Sequence, residues 1–177
     1  MTTPPFAPVS DADLAVLHAQ LGRPARGVVG VAARCVCGNP TVVATLPRLP
    51  DGTPFPTFYY LTHPAATAAM STLEAEHVMR DMNDVLAEDP DVASAYGAAH
   101  DAYLADRAHF GDVSEIAGIS AGGMPTRVKC LHALAGHALA AGPGVNPMGD
   151  RALEMSSWSP ERCVCADPGS AARVSDE

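Results

Sequence analysis

Between Gly27 and Leu61 the chain carries three short runs of β-branched and aromatic residues, GVVGVAARC, TVVATLPRL and TFYYL. Residues of this kind fit a pleated, half-buried surface. The connectors are turn chemistry: Gly38-Asn39-Pro40 separates the first two runs, and LPDGTPFP leads into the third. Such short connections predict a three-stranded antiparallel meander, a sheet too small to stand alone and in need of cover on at least one face. Elsewhere the apolar residues recur at helical spacing. The expected fold class is therefore α+β, a small three-stranded antiparallel sheet packed against about five α-helices. With 177 residues, 47% of them hydrophobic, the chain can bury one good core.

The helices can be placed by their start and stop signals. Ser10 followed by Asp13 is a capping arrangement; Leu14, Leu17 and Leu21 give a buried face, and Gly22 ends the helix. Thr62 before Pro64 opens a helix expected to run to about Ala87, with Met70, Leu73, Met79, Met82, Val85 and Leu86 inward and Glu76 and Arg80 as an exposed i, i+4 pair. Asp89-Pro90 starts the next, striped by Val92, Tyr96, Ala99 and Tyr103. In SAGGMPTRVKCLHALAGHALAAGPGVNPMGD, the turn at Gly122-Gly123 and the proline at 125 predict a central helix from Pro125 to Gly142. Asn146-Pro147 opens a short last helix ending near Met155. Residues 1–9 are expected to be a flexible N-terminus, 10–155 a single domain, and 156–177 a largely irregular tail rich in Ser, Pro and charge.

Charge narrows the partners. A net charge of −9 disfavours nucleic acid and anionic membranes, and no stretch approaches the roughly 20 apolar residues of a membrane span. The N-terminus has no signal-peptide pattern, so the expected compartment is the cytoplasm. The distribution of charge says more than its sum. No acid occurs from Leu14 to Pro50 or from Ile116 to Gly149, whereas residues 51–115 hold twelve acids against Arg80 and Arg107. If the two acid-free segments meet, they make a basic pocket in an acidic protein. Free N–H groups at a helix start bind anions, so Gly122, Gly123, Arg127, Lys129, His132 and Arg48 form a candidate site for a small phosphorylated ligand. The competing class is a non-enzymatic adaptor whose acidic helical half docks a protein partner.

Five cysteines cannot all pair within one chain. Two Cys-Val-Cys pairs, Cys35 with Cys37 and Cys163 with Cys165, together with Cys130, supply enough thiolates for a tetrahedral zinc site. In an extended strand the members of such a pair lie about 6.5 Å apart, so a turn must bring the sulfurs together. Alternatively the cysteines pack as small apolar residues, or Cys130, opening a helix near basic groups, serves as a thiol nucleophile. His63, His77, His100 and His109 are isolated and read as surface or packing residues.

RCVCGNPTVVATLPRLPDGTPFPTFYYLTHP and SAGGMPTRVKCLHALAGHALAAGPGVNPMGD together resemble an actinobacterial family classed as a domain of unknown function, over roughly Leu21 to Leu153. The resemblance implies a bacterial cytosolic protein. It assigns no activity, cofactor or catalytic residue. Members are similar in often being encoded beside a septum-formation initiator and an exopolyphosphatase, so the resemblance implies, by association alone, a connection to cell division or phosphate metabolism.

Overall fold

The structure, a computed structural model, describes residues 6–171. Helix α1 (Asp11–Leu21) leads into strands β1 (Val28–Arg34), β2 (Pro40–Thr45) and β3 (Tyr59–Leu61), followed by α2 (Pro64–Ala75), α3 (Val78–Glu88), α4 (Pro90–Ala108), a 3₁₀ turn at Ser114–Ile116, α5 (Leu131–Ala141) and α6 (Pro147–Met155). The three strands form one antiparallel sheet in the order β1-β2-β3, with Val31 opposite Val43 and Val43 opposite Tyr60. The α+β class and the meander are as the sequence implies. Among the described residues there are six helices, one more than expected, because the segment from Pro64 to Glu88 is broken. His77 takes a left-handed φ of 62° there, and Glu76 and Arg80 fall on either side of the break. The halves then part: α2 packs on α5, and α3 on α4.

Helix α1 has the predicted capping box. Asp13 N–H donates to Ser10 Oγ at 3.1 Å, and Ser10 N–H donates to the Asp13 carboxylate at 3.0 Å. Its inward face differs from the one expected: Leu14 is 40% exposed and Asp13 is buried. The reason is Arg34 on β1, whose guanidinium donates to both Asp13 oxygens at 2.6 and 3.0 Å and draws that face of the helix inward. Burial works against the Asp13 carboxylate, but the bonds from Arg34 and Ser10 outweigh it and hold its pKa below the usual value.

Every residue of β2 is buried, and β3 carries the aromatic centre of the core. Tyr103 of α4 accepts a hydrogen bond from Phe58 N–H at 2.5 Å, while Tyr59 donates to Asp106 at 2.6 Å, so α4 is fastened to the sheet at two points. Tyr96, Ala99 and Tyr103 are fully buried, as their spacing predicts. Phe6 joins the same aromatic cluster against Phe58, Tyr59 and Phe110, and Ala7 bridges Val31. The rest of the segment expected to be flexible, residues 1–5, lies outside the described residues, as do residues 172–177 of the tail.

The central helix starts at Leu131, not at Pro125. Gly122 and Gly123, with φ of 67° and 95°, fold the chain back so that their carbonyls accept from Lys129 N–H at 2.7 Å and Arg127 N–H at 3.1 Å. Residues 123–129 thereby close into a loop, and the Arg127 and Lys129 N–H groups are spent internally.

Candidate metal centre

Four of the five cysteines converge. The sulfurs of Cys35, Cys37, Cys163 and Cys165 all lie within 4.8 Å of one another, and those of Cys37 and Cys165 are 3.6 Å apart. A regular tetrahedron with Zn–S bonds of about 2.3 Å has edges of about 3.8 Å. The spacing fits a shared metal ion and is far longer than the roughly 2.05 Å of a disulfide. The turn that the sequence argument requires is present: Cys35 N–H donates to Asn39 O at 2.9 Å, Gly38 N–H donates to Cys35 O at 2.8 Å, and Gly38 has φ 92°. That geometry brings the side chains of the first pair onto one side.

The opposite pair is delivered by the C-terminal segment, which has neither helix nor strand from Ser156 to Ala171 but is anchored along its length. Trp158 is buried against His63, ring centroids 5.4 Å apart. Asn39, itself buried, donates to Asp167 O at 2.9 Å and accepts from Ala171 N–H at 3.1 Å. His63, expected only as a surface or packing residue, is the site residue that sequence reasoning missed. It caps α2 by accepting Ala66 N–H at Nδ1, 3.4 Å away, which leaves Nε2–H to donate to the Cys165 sulfur at 3.2 Å. If the cluster held a metal, this bond would orient the Cys165 thiolate from outside the ligand set. The only signal in the sequence is its place before Pro64, and that signals a helix cap, not a metal.

The thiols are tuned unequally. Burial opposes ionisation of Cys37, but backbone bonds from Asn39 and Gly169 and the neighbouring thiols bring it down to about 7. Burial pushes Cys35 and Cys165 up, and for Cys165 the adjacent cysteines add to it. Four thiolates side by side repel one another, and a dication would remove that conflict.

Cys130 does not belong to this group, so the five expected ligands do not meet at one point. It stands at the N-terminus of α5, its sulfur 4.0 Å from His132 Nδ1, in a separate cluster with Glu74. The same cluster changes the expected anion site. Glu74 Oε1 accepts Leu131 N–H at 2.7 Å and faces His132 Nδ1 at 3.2 Å, so the positive end of α5 and His132 are both engaged by a carboxylate of the chain itself. Arg48 is committed to both oxygens of Glu115, at 2.8 and 2.7 Å. The side chains of Arg127 and Lys129 are exposed on the loop after Gly122 and Gly123, not in a helical turn.

Residues 31–154, more than half of the chain, match a family of proteins of unknown function, DUF501. The chain belongs to the DUF501 family. No curated protein and no solved structure matches it. The matched residues of this DUF501 member include Cys35, Cys37, His63, Glu74, Cys130 and His132, while Cys163 and Cys165 lie beyond them. Beside the cysteine cluster is a cleft of about 510 Å³. Ala12, Ala15, Val16 and Ala19 of α1 form one wall, His63, Pro64 and Ala65 the floor, and Val164 to Asp167 of the tail the other wall. Among the described residues, no helix of this DUF501 chain is long and apolar enough to cross a membrane.

Proposed function

We propose that this chain is a metal-stapled binding domain: one zinc ion, held by Cys35, Cys37, Cys163 and Cys165, fastens the C-terminal segment over the Cys35–Pro40 turn and so builds the outer wall of the cleft. The observation that carries the reading is the meeting of four sulfurs within 4.8 Å of one another, from two segments far apart in the chain. An all-thiolate tetrahedral set selects zinc or iron–sulfur centres, and a set closed by four protein ligands is structural, not catalytic. What the zinc supplies when bound is cohesion. The His63 Nε2–H bond to Cys165 and the Asn39 bonds to the tail hold the ligands in register around it.

Elemental analysis of the purified chain tests this. One equivalent of zinc is expected, and Cys35→Ser and Cys163→Ser should each lose the metal and lower the thermal midpoint. A metal-free protein of unchanged stability defeats the reading, and so does an iron centre or four freely titrating thiols at the site.

The second reading is a protein adaptor. The exposed carboxylates of Asp81, Asp84, Glu88, Asp91 and Asp101 on α3 and α4 favour it, because such a face suits a partner with a basic surface. A small phosphorylated ligand, by contrast, would have to rely on Arg127 and Lys129.

A further inference from the structure

We propose that Cys130, paired with His132, is the reactive cysteine of this chain and is oxidised by hydrogen peroxide to a sulfenic acid. The hydrogen bonds around His132 lead to this. Its Nε2 lies 3.1 Å from both the Thr67 carbonyl oxygen and the Ser71 hydroxyl; a bare ring nitrogen would repel the carbonyl, which can only accept, so Nε2 carries a proton and Ser71 Oγ shares it as a second acceptor. Its Nδ1 lies 3.2 Å from Glu74 Oε1, a carboxylate oxygen that also only accepts, so Nδ1 carries a proton too. The ring is therefore an imidazolium, with Cys130 Sγ 4.0 Å from Nδ1. The Cys130 partnership and the Glu74 charge raise the His132 pKa to about 9 against the cost of burial. Reciprocally, His132 lowers the thiol below its ordinary value, while burial and Glu74 on α2 oppose it.

This pair differs from the cysteine tetrad. There the sulfurs face one another; here His132 faces the thiol, and Leu131 N–H takes up part of the Glu74 charge at 2.7 Å. No ion is required. Nor is this a nucleophile–base–acid relay, because a single ring nitrogen faces both Cys130 and Glu74. What the arrangement provides is a cationic ring 4.0 Å from the sulfur, which favours the thiolate. Cys130 is half-buried between α2 and α5, which suits a small reagent.

In the step, the Cys130 sulfur attacks one oxygen of hydrogen peroxide. An S–O bond forms as the O–O bond breaks, and the departing hydroxide takes the Nδ1 proton of His132 and leaves as water. Sulfur is oxidised from thiolate to sulfenic acid, peroxide is reduced to water, and the ring becomes neutral.

The test is alkylation of the purified chain, as isolated and with zinc added, using limiting iodoacetamide from pH 5.5 to 9, each cysteine being quantified by peptide mass spectrometry. Cys130 is expected to label first, its rise in rate displaced to lower pH than that of an ordinary thiol, which gains close to tenfold per pH unit below its pKa. His132→Gln, checked for folding by its melting curve, should slow labelling at pH 7 by about tenfold or more. Peroxide followed by dimedone should trap an adduct on Cys130 in the wild type and not in His132→Gln. A wild-type Cys130 with the undisplaced profile of an ordinary thiol overturns the proposal without recourse to any variant. So does a second equivalent of zinc that shields Cys130, which would make Glu74, Cys130 and His132 a metal site instead.

Discussion

His137 is fully buried among aromatic rings, stacked on Tyr59 at 5.6 Å and edge-on to Tyr103 at 5.2 Å. Its Nδ1 accepts from the Asn146 amide at 3.1 Å, and its Nε2–H has no hydrogen-bond partner among the described residues. Burial lowers its pKa to about 4, so the folded state keeps the ring neutral. The unfolded chain, with an ordinary value near 6.5, takes up a proton that the folded chain refuses. Stability is therefore complete above pH 6.5 and falls as pH drops from 6.5 toward 4, by on the order of 3 kcal/mol. Urea titrations at pH 7 and pH 4.5 should show this loss in the wild type and a smaller one in His137→Phe. Arg107 is a second buried residue whose side chain serves the fold. Its guanidinium donates to the carbonyls of Pro56, Ile119 and Ile116 at 3.1, 2.6 and 2.9 Å, tying the loop before β3 to the loop after α4. Arg107→Ala leaves those carbonyls short of donors and should cost roughly 3 kcal/mol. Tyr96→Ala should cost about as much, through the cavity it opens and the lost bond to the Arg127 carbonyl. Equilibrium unfolding measures both, and a change below about 0.5 kcal/mol would place either residue outside the core.

At the scale of elements, the glycine-rich stretch around α5 shows how a motif can be legible and its purpose not. Gly149, in the first turns of α6, lies so close to α5 that a β-carbon there would overlap the Leu134 carbonyl and the Ala138 side chain. The tight α5–α6 contact depends on its lack of a side chain, and Gly149→Ala should destabilise the fold by roughly 1–3 kcal/mol in thermal or urea melts. Strands, sheet order, caps and the α4 stripe are readable in advance because each rests on local chemistry and periodicity. The break at His77 is not, since no glycine or proline marks it and packing on two different helices imposes it. The start of α5 departs from its sequence signals for a related reason. Gly122-Gly123 and Pro125 carry the signs of a helix entry, yet Gly122 and Gly123 spend their positive φ on a closed loop, and Glu74, distant in sequence, takes the helix N-terminus. The cysteines are legible as a set but not as a partition. Spacing does not show that Cys130 is separated from the others or that His63 stands beside Cys165, because both facts depend on which helix faces which.

For the whole molecule, the question is what keeps the C-terminal segment on the domain. Two anchors are independent. One, under the metal-staple reading, is the cysteine tetrad, and the other is Asn39, whose side chain holds Asp167 and Ala171 without any metal; Val36 N–H adds a weaker bond to Pro160 O at 3.3 Å. Trp158 adds buried area upstream of both, and its indole reports on whether the segment is seated. Under the metal-staple reading, chelation should leave the first part of the segment packed while freeing the stretch around Arg162, an exposed residue directly before Cys163. Tryptic cleavage at Arg162 should then run about tenfold faster after chelation than with zinc present. Asn39→Ala in zinc-loaded protein should accelerate it far less, because the metal still pins both sides of the turn. In metal-free Asn39→Ala protein both of these anchors are gone, the single Val36–Pro160 backbone bond is left, and Trp158 fluorescence should shift to the red as the segment loosens from His63. Equal cleavage with and without chelator would mean that Trp158 and Asn39 hold the tail alone, and the cysteines would then need another explanation.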